Sequence, residues 1–340
     1  MKYVAGLAAL AGLAFAVWLF WHAHAGAVLA LMRAAGGGLA LAALVHVLPM
    51  LANARNWQML MRGARRPTLF AVLRLTWIRE SVNGMLPVAR VGGEVATFHM
   101  MLKWGMRPAP AMASLVVDLQ LTIISEMLFA MAAIGYLVAR AGSGAWYIAA
   151  RLGGGIALLA VLMLAASFLQ RWHPFVRITK LFNKMTSGKF RALVGESVRI
   201  DDAISELWHR PAVIARYLAI WQTLQWLATA LELWVALRFL GVKTGFLIPV
   251  VLEALVQALS SVAFFVPGAL GVQEGGFLLI GTALGLNPQA CLALAGARRI
   301  RDLIVFLPGL VVWQVEEWRE RRRAPVSPAE DAKADADAKS

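Results

Sequence analysis

Ser81-Val82-Asn83-Gly84-Met85-Leu86-Pro87-Val88-Ala89-Arg90-Val91-Gly92-Gly93-Glu94 runs from apolar sequence through a proline break and a glycine pair to a carboxylate. The layout returns 180 positions later, residue 81 against residue 261, as Ser261-Val262-Ala263-Phe264-Phe265-Val266-Pro267-Gly268-Ala269-Leu270-Gly271-Val272-Gln273-Glu274. Ser, Val, Pro, Ala and Glu coincide without a gap. Paired helix breaks in corresponding halves of a polytopic protein point to a transporter-like site near the bilayer midplane. This pair therefore sets the expected fold: two membrane-embedded helical hairpins inside an all-α protein.

Composition agrees. The chain has 340 residues, 60% of them hydrophobic, and a mean hydropathy of +0.67. That is too apolar for a soluble domain and implies an integral membrane protein. A spanning helix needs about 20 mostly apolar residues. Candidates are Tyr3 to Trp21, Leu39 to Met61, Ala111 to Ala139, Gly153 to Leu169, Ala212 to Leu240, Phe246 to Phe265 and Ala290 to Trp313. The net charge of +14 does not indicate nucleic acid, because the basic residues fill loops between apolar runs instead of one face. Arg62, Arg65 and Arg66, the long central loop, and Arg319 with Arg321 to Arg323 are expected to be cytoplasmic by the positive-inside rule. The single cysteine, Cys291, excludes a disulfide within one chain. Of the six histidines, His22 and His24 form the one close pair and read as interfacial residues. The apolar run after Lys2 is longer than a signal-peptide core of about 7 to 15 residues and reads as a retained helix.

With both termini inside, Phe70 to Leu102 must enter and leave the membrane by one face, and Phe246 to Leu286 by the opposite face. The expected architecture is about seven transmembrane helices plus two re-entrant hairpins arranged as an inverted repeat. Residues 1–169 form the first membrane half, 170–210 a cytoplasmic amphipathic loop, 211–318 the second half, and 319–340 a basic, then disordered tail. Arg298, Arg299 and Arg301 break the charge pattern, since they open the last helix on the outer or midplane side. They imply either a local departure from this topology or a wet cavity; Asp302, four after Arg298, offers an intrahelical partner.

Backbone freed by a helix break survives in lipid where it lines a cavity. Gly92, Gly93, Gly268 and Gly271 allow close turns, and each restarting helix aims free N–H groups at that cavity, a suitable place for a phosphate or carboxylate headgroup. Arg90 strengthens the first anion site, while Glu94 and Glu274 are placed to bind a cationic group, relay protons or pair with Arg90 and the Arg298 cluster. The plainer alternative is that both glutamates cap helix starts. Polar stripes at helical spacing, Asp118 to Glu126, Gln222 to Glu232 and Glu253 to Ser260, line a headgroup path or make interhelical hydrogen bonds. No nucleotide-binding loop, zinc-binding histidine helix or serine elbow occurs, so no cofactor is expected.

Asn83, Pro87-x-x-Arg90-x-Gly92-Gly93-Glu94 and Pro267-Gly268-x-x-Gly271-x-x-Glu274-Gly275-Gly276 resemble the two signature segments of the lysylphosphatidylglycerol synthase transmembrane family of flippase-like proteins. The resemblance covers nearly the whole chain to about Trp318. Trp77-Ile78-Arg79-Glu80-Ser81-Val82-Asn83 and Arg298-Arg299-Ile300-Arg301-Asp302-Leu303 look most like the branch associated with hopanoid biosynthesis. The resemblance implies handling of a lipid or polyprenyl-linked substrate across the inner membrane of a bacterium, with the hairpins as the central site; the expected partners are membrane lipids with an anionic or hopanoid-type headgroup and lipid-biosynthesis proteins. The soluble domain that makes the aminoacyl lipid in full-length synthases is not expected here, so synthesis does not carry over. Thr97 and Gln273 stand where the family often has arginine, which leaves room for a different headgroup. Three readings follow: a lipid translocase or transport component, a membrane-embedded lipid transferase, and a non-catalytic partner in a biosynthetic complex.

Overall fold

The computed structural model describes residues 18, 25–61, 67–86, 92–140, 191–263, 266 and 269–323. Among these every regular element is a helix. Pro87, Arg90, Pro267, Gly268, the histidine pair, the arginines at 62 to 66, the candidate span at 3–21 except Trp18, the span at 153–169, residues 170–190 of the central loop and the tail beyond Arg323 lie outside the described residues.

The chain begins with α1 (Ala25–Ala35), α2 (Gly37–Val45) and α3 (Val47–Leu60). Pro49 has no N–H for the Val45 carbonyl, so α2 and α3 part at His46, which keeps helical dihedrals. Gly37–Leu60 is thus one apolar helix of 24 residues. The first hairpin has a long arm, α4 (Leu69–Met85, 17 residues), and a short arm, α5 (Gly92–Lys103, 12 residues). Thr68 caps α4 by accepting from the Ala71 N–H. After α5 comes the 33-residue α6 (Pro108–Arg140). In the second half, α7 (Arg191–Trp208) leads to α8 (Pro211–Arg216), a π-helical turn (Tyr217–Gln222) and α9 (Thr223–Phe239). The second hairpin again pairs a long arm, α10 (Leu247–Val262, 16 residues), with a short one, α11 (Val272–Ala283, 12 residues). The 36-residue α12 (Pro288–Arg323) follows.

The likeness of the halves extends past the quoted motif. Met106 N–H bonds back to the Met101 carbonyl and Leu286 N–H to the Gly281 carbonyl, and both turns carry a left-handed glycine, Gly105 (φ 81°) and Gly285 (φ 87°). These are paired helix endings in which glycine avoids the Cβ clash. Pro108 and Pro288 then open the long helices, as proline suits a first helical position. Each pair keeps the spacing of 81 to 261. Packing follows the same logic: α6 contacts α5 and α10, and α12 contacts α11 and α4. Every long helix therefore holds the short arm of its own hairpin and the long arm of the other.

Among the described residues the two largest apolar cores lie one at each hairpin. One, around Trp57, Leu75, Ile78 and Met101, joins α3 to the first hairpin and α6. The other, around Leu252, Phe277, Leu292 and Leu237, joins α9 to the second hairpin and α12. Meanwhile Phe70, Leu279, Val95, Leu44 and Val311 are more than half exposed, while Arg79, Asp118, Glu232, Glu253, Glu274, Arg298 and Arg301 are buried. Large apolar side chains outside and charges inside is the reverse of a soluble protein. Besides Gly37–Leu60, Pro108–Ala139 is apolar and long enough to cross a membrane. Of the other spans expected, α12 has the length but carries Arg298, Arg299, Arg301 and Asp302 together, and α10 is the arm of a hairpin. The amphipathic central segment is not free: α7 presses Ile204 and Leu207 onto Val117 and Leu121 of α6, and the Trp208 indole donates to Gln120 at 3.0 Å.

Candidate functional site

Between the two cores runs a seam of charged and polar side chains. At one end, Tyr217 OH donates to Asp118 Oδ1 (2.9 Å), whose Oδ2 accepts from Arg79 Nη1 (2.7 Å). The π turn spaces Tyr217 and Gln222 five residues apart on one buried face, so that Tyr217 reaches α6 while the Gln222 amide pairs with that of Asn56 on α3 (2.7 Å). The Arg79 guanidinium lies over the Trp57 ring at 4.5 Å and donates to Asn53 Oδ1 at 3.4 Å. Asn53 Nδ2 in turn donates to Glu80 Oε1 at 2.9 Å. His46 is next: Nε2 is 3.6 Å from Glu80 Oε2, and Nδ1 is 2.6 Å from Glu232 Oε2. Arg301 Nη1 reaches the same ring, 2.7 Å from Nδ1, and its Nη2 is 2.7 Å from Asp302. Asp302 stands 3.4 Å from Arg299, whose Nε donates to Glu274 Oε1 at 2.8 Å. The seam thus leads from α6 through α4, α3 and α9 to α12 and the second hairpin.

The expected site residues fall into place unevenly. Glu274 Oε2 accepts from the Gly271 N–H at 2.7 Å, capping α11, where Gly271 adopts φ 77°. It therefore both caps its helix and pairs with an arginine of the Arg298 cluster, Arg299. Arg298 Nη2 binds Glu253 Oε1 (2.7 Å) and lies 5.5 Å from the Phe277 ring centroid, so its intrahelical partnership with Asp302 is not formed; Asp302 pairs with Arg299 and Arg301. Glu94 sits in the first turn of α5 and accepts from Asn83 Nδ2 at 3.1 Å, while Asn83 Oδ1 accepts from the Gly93 N–H at 2.8 Å. Asn83 thereby staples the two arms of the first hairpin. A Cβ on residue 93 would stand 2.4 Å from the Arg79 carbonyl oxygen, which is why the second residue of α5 is glycine. Gly92 begins that helix beside it.

The stripes resolve mainly into interhelical bonds. Thr122 pairs with Tyr217 at 3.2 Å, Ser125 accepts from the Trp226 indole at 2.8 Å, and Ser260 bonds to the Val256 carbonyl within its own helix. His46, Asn53 and Glu80 were not among the expected site residues. For His46 and Glu80 the available signal was an ionisable side chain in a mainly apolar segment, by itself a functional hint; for Asn53 it was a polar amide in the same setting.

Outside the seam, each hairpin borders an apolar groove of about 460 Å³. One is formed by Leu86 with Leu310, Val311, Trp313, Val315 and Trp318 of α12. The other is formed by Leu259 with Gly271, Val272, Gly276, Leu279 and Thr282. Among the described residues no group of three His, Cys, Asp or Glu side chains is arranged to hold a metal ion.

No curated protein and no solved structure matches the chain. The sequence profile described as the lysylphosphatidylglycerol synthase TM region matches residues 3–309, which span both hairpins and the whole seam. With an exposed apolar surface, a buried charged interior and a match over most of its length, this chain is a membrane protein that belongs to the lysylphosphatidylglycerol synthase TM region family, a lipid-related family.

Proposed function

We propose that the protein is a multi-pass inner-membrane lipid translocase or lipid-transport component, with both termini cytoplasmic. In this reading about seven spans surround two re-entrant hairpins related as an inverted repeat. The observation that carries it is the combination of one apolar groove beside each hairpin with one charged seam joining them. Acyl or isoprenoid chains keep to the grooves, where bilayer and protein meet, while a polar headgroup is handled by the seam and the hairpin ends. Arg90, with the N–H groups at the start of α5, attracts the anionic part of the headgroup. Arg298 and Arg301 set the charge at the other side, and Glu94 and Glu274 act as gates. Glu274 is suited to that role because one carboxylate is held by two partners from different elements, the Gly271 N–H and Arg299. Pro87, Pro267 and Gly268 supply the helix breaks. Motifs like those of the hopanoid-associated branch support a hopanoid or modified lipid as cargo and lipid-biosynthesis proteins as partners.

The test is lipid mass spectrometry on separated inner and outer membranes, comparing cells with the gene, without it, and with Glu274→Gln. The expected result is normal total lipid with one species stranded in the inner membrane in both altered strains. Unchanged lipid distribution in a folded Glu274→Gln variant would refute the gating role. Complete loss of one lipid product would instead mark a membrane-embedded transferase.

A further inference from the structure

His46 is the junction of the seam, and its contacts make incompatible demands. Nδ1 lies 2.6 Å from Glu232 Oε2, an acceptor, and 2.7 Å from Arg301 Nη1, a donor. Nε2 lies 3.6 Å from Glu80 Oε2 and 3.1 Å from the same Arg301 nitrogen. A ring nitrogen that carries a proton bonds to a carboxylate and opposes a guanidinium; one without a proton accepts from the guanidinium and opposes the carboxylate. One ring cannot satisfy all of these neighbours in a single protonation state. The neighbours belong to different bodies: Glu80 to the first hairpin, Glu232 to α9, and Arg301 to α12, which is tied through Asp302 and Arg299 to Glu274 of the second hairpin.

We propose that His46 is a proton-binding site that couples the two hairpins. With a proton, the imidazolium draws Glu80 and Glu232 together and repels Arg301 toward Asp302. Without it, the ring accepts from Arg301, and Glu80 keeps only its bond from Asn53. Charge supports a proton as the ligand. The seam contains the carboxylates of Glu80, Asp118, Glu232, Glu274 and Asp302, buried or half-buried, against the guanidinium groups of Arg79, Arg299 and Arg301, so an added positive charge offsets an excess of negative charge. The groups facing His46 are Glu80 from α4, Glu232 from α9 and Arg301 from α12, with the Phe306 ring edge-on at 5.6 Å. The Glu80 side chain, 23% exposed against 5% for Glu232, offers the entry path. In the transport reading, on which this use of the site rests, proton uptake becomes the step that changes how the first hairpin is held.

The test is amide hydrogen exchange of the full chain in phosphatidylethanolamine–phosphatidylglycerol vesicles at about pH 6 and about pH 8, on either side of an ordinary imidazole transition. After correction for the intrinsic pH dependence of exchange, protection of α4 should differ by about threefold or more in the wild type. The difference should vanish in His46→Gln. Glu80→Gln, which keeps an oxygen for Asn53, provides a second variant should His46→Gln not fold, and it too should lose the response. Equal protection at both pH values in the wild type, or a response that survives in folded His46→Gln, overturns the proposal. The same vesicles, given a fluorescent lipid and an imposed pH gradient, separate the two ideas. A His46-dependent change in α4 without lipid movement retains the proton site and removes only the transport reading.

Discussion

Asp118→Asn should destabilise the protein by about 3 kcal/mol, the lower end of the cost of breaking one partner out of a buried ion pair. Arg79 and Asp118 are 8% and 2% exposed, 2.7 Å apart, with the second carboxylate oxygen held by Tyr217 OH. The substitution removes the negative charge and leaves a guanidinium that cannot lose its proton in a medium of low dielectric. Two contacts keep the cost from the upper end of the range: the Trp57 face at 4.5 Å, worth about 2 kcal/mol for a desolvated cation, and Asn53 Oδ1 at 3.4 Å. Removing both charges with Arg79→Met and Asp118→Leu should lie within about 1 kcal/mol of wild type, because an apolar pair of similar volume often replaces a buried ion pair at little cost. Tyr217 OH then still has Thr122 at 3.2 Å. Reversible unfolding in mixed micelles, followed by far-ultraviolet circular dichroism over a titration of denaturing detergent, compares Asp118→Asn with wild type and, with Arg79→Met and Asp118→Leu also measured singly, gives the four corners of the cycle. A single variant as stable as wild type, or a double variant that loses the sum of the single losses, would refute the reasoning.

Three other substitutions probe the framework. Gly93→Ala forces a methyl to 2.4 Å from the Arg79 carbonyl oxygen, and should cost about 1–3 kcal/mol by overpacking and raise protease cleavage at the first hairpin. Trp77→Phe removes the indole N–H that donates to the Val305 carbonyl at 2.6 Å, beside the ladder that Pro308 interrupts in α12. A loss of about 1 kcal/mol, with faster amide exchange confined to the turn around Pro308, is expected. Leu207→Ala opens a cavity under α7, where Leu207 is 4% exposed, and should cost about 2–5 kcal/mol, seen as release of α7 to limited proteolysis while α4 and α10 remain protected.

The hairpins were legible because proline and glycine interrupt apolar sequence at matched positions, and local backbone chemistry is what a sequence states most directly. Gly105 with Gly285 and Pro108 with Pro288 follow the same rule. The partners within the site were not legible in the same way. Residues 46, 80, 232 and 301 meet only because the α2–α3 joint, α4, α9 and α12 pack around one point, and no periodicity along the chain encodes such a meeting. The Glu274 assignment shows the limit closely: an arginine of the 298 to 301 group does reach it, but the rotation of α12 selects Arg299 and turns Arg298 to Glu253. The polar stripes were visible as stripes, whereas their use as interhelical bonds depended on the neighbours.

The two buried pairs that join a long arm to the helix after its hairpin have opposite polarity. In the first half Arg79 on α4 meets Asp118 on α6; in the second, Glu253 on α10 meets Arg298 on α12. Residues 118 and 298 keep the spacing that relates the halves, so one structural position carries an acid in one copy and a base in the other. Stability alone gives no reason for this, since apolar side chains would serve about as well. Discrimination does. Because α4 lies against α12 and α10 against α6, each long arm has the other half's long helix as a neighbour. A slip that paired across the halves would set Arg79 against Arg298 and Glu253 against Asp118, and buried like charges in contact cost several kcal/mol. The reversal of sign thus favours the ion pair that each long arm makes with its own half's long helix, although its broader packing is against the other half's, and leaves the His46 junction as the part of the seam whose bonding changes with a proton.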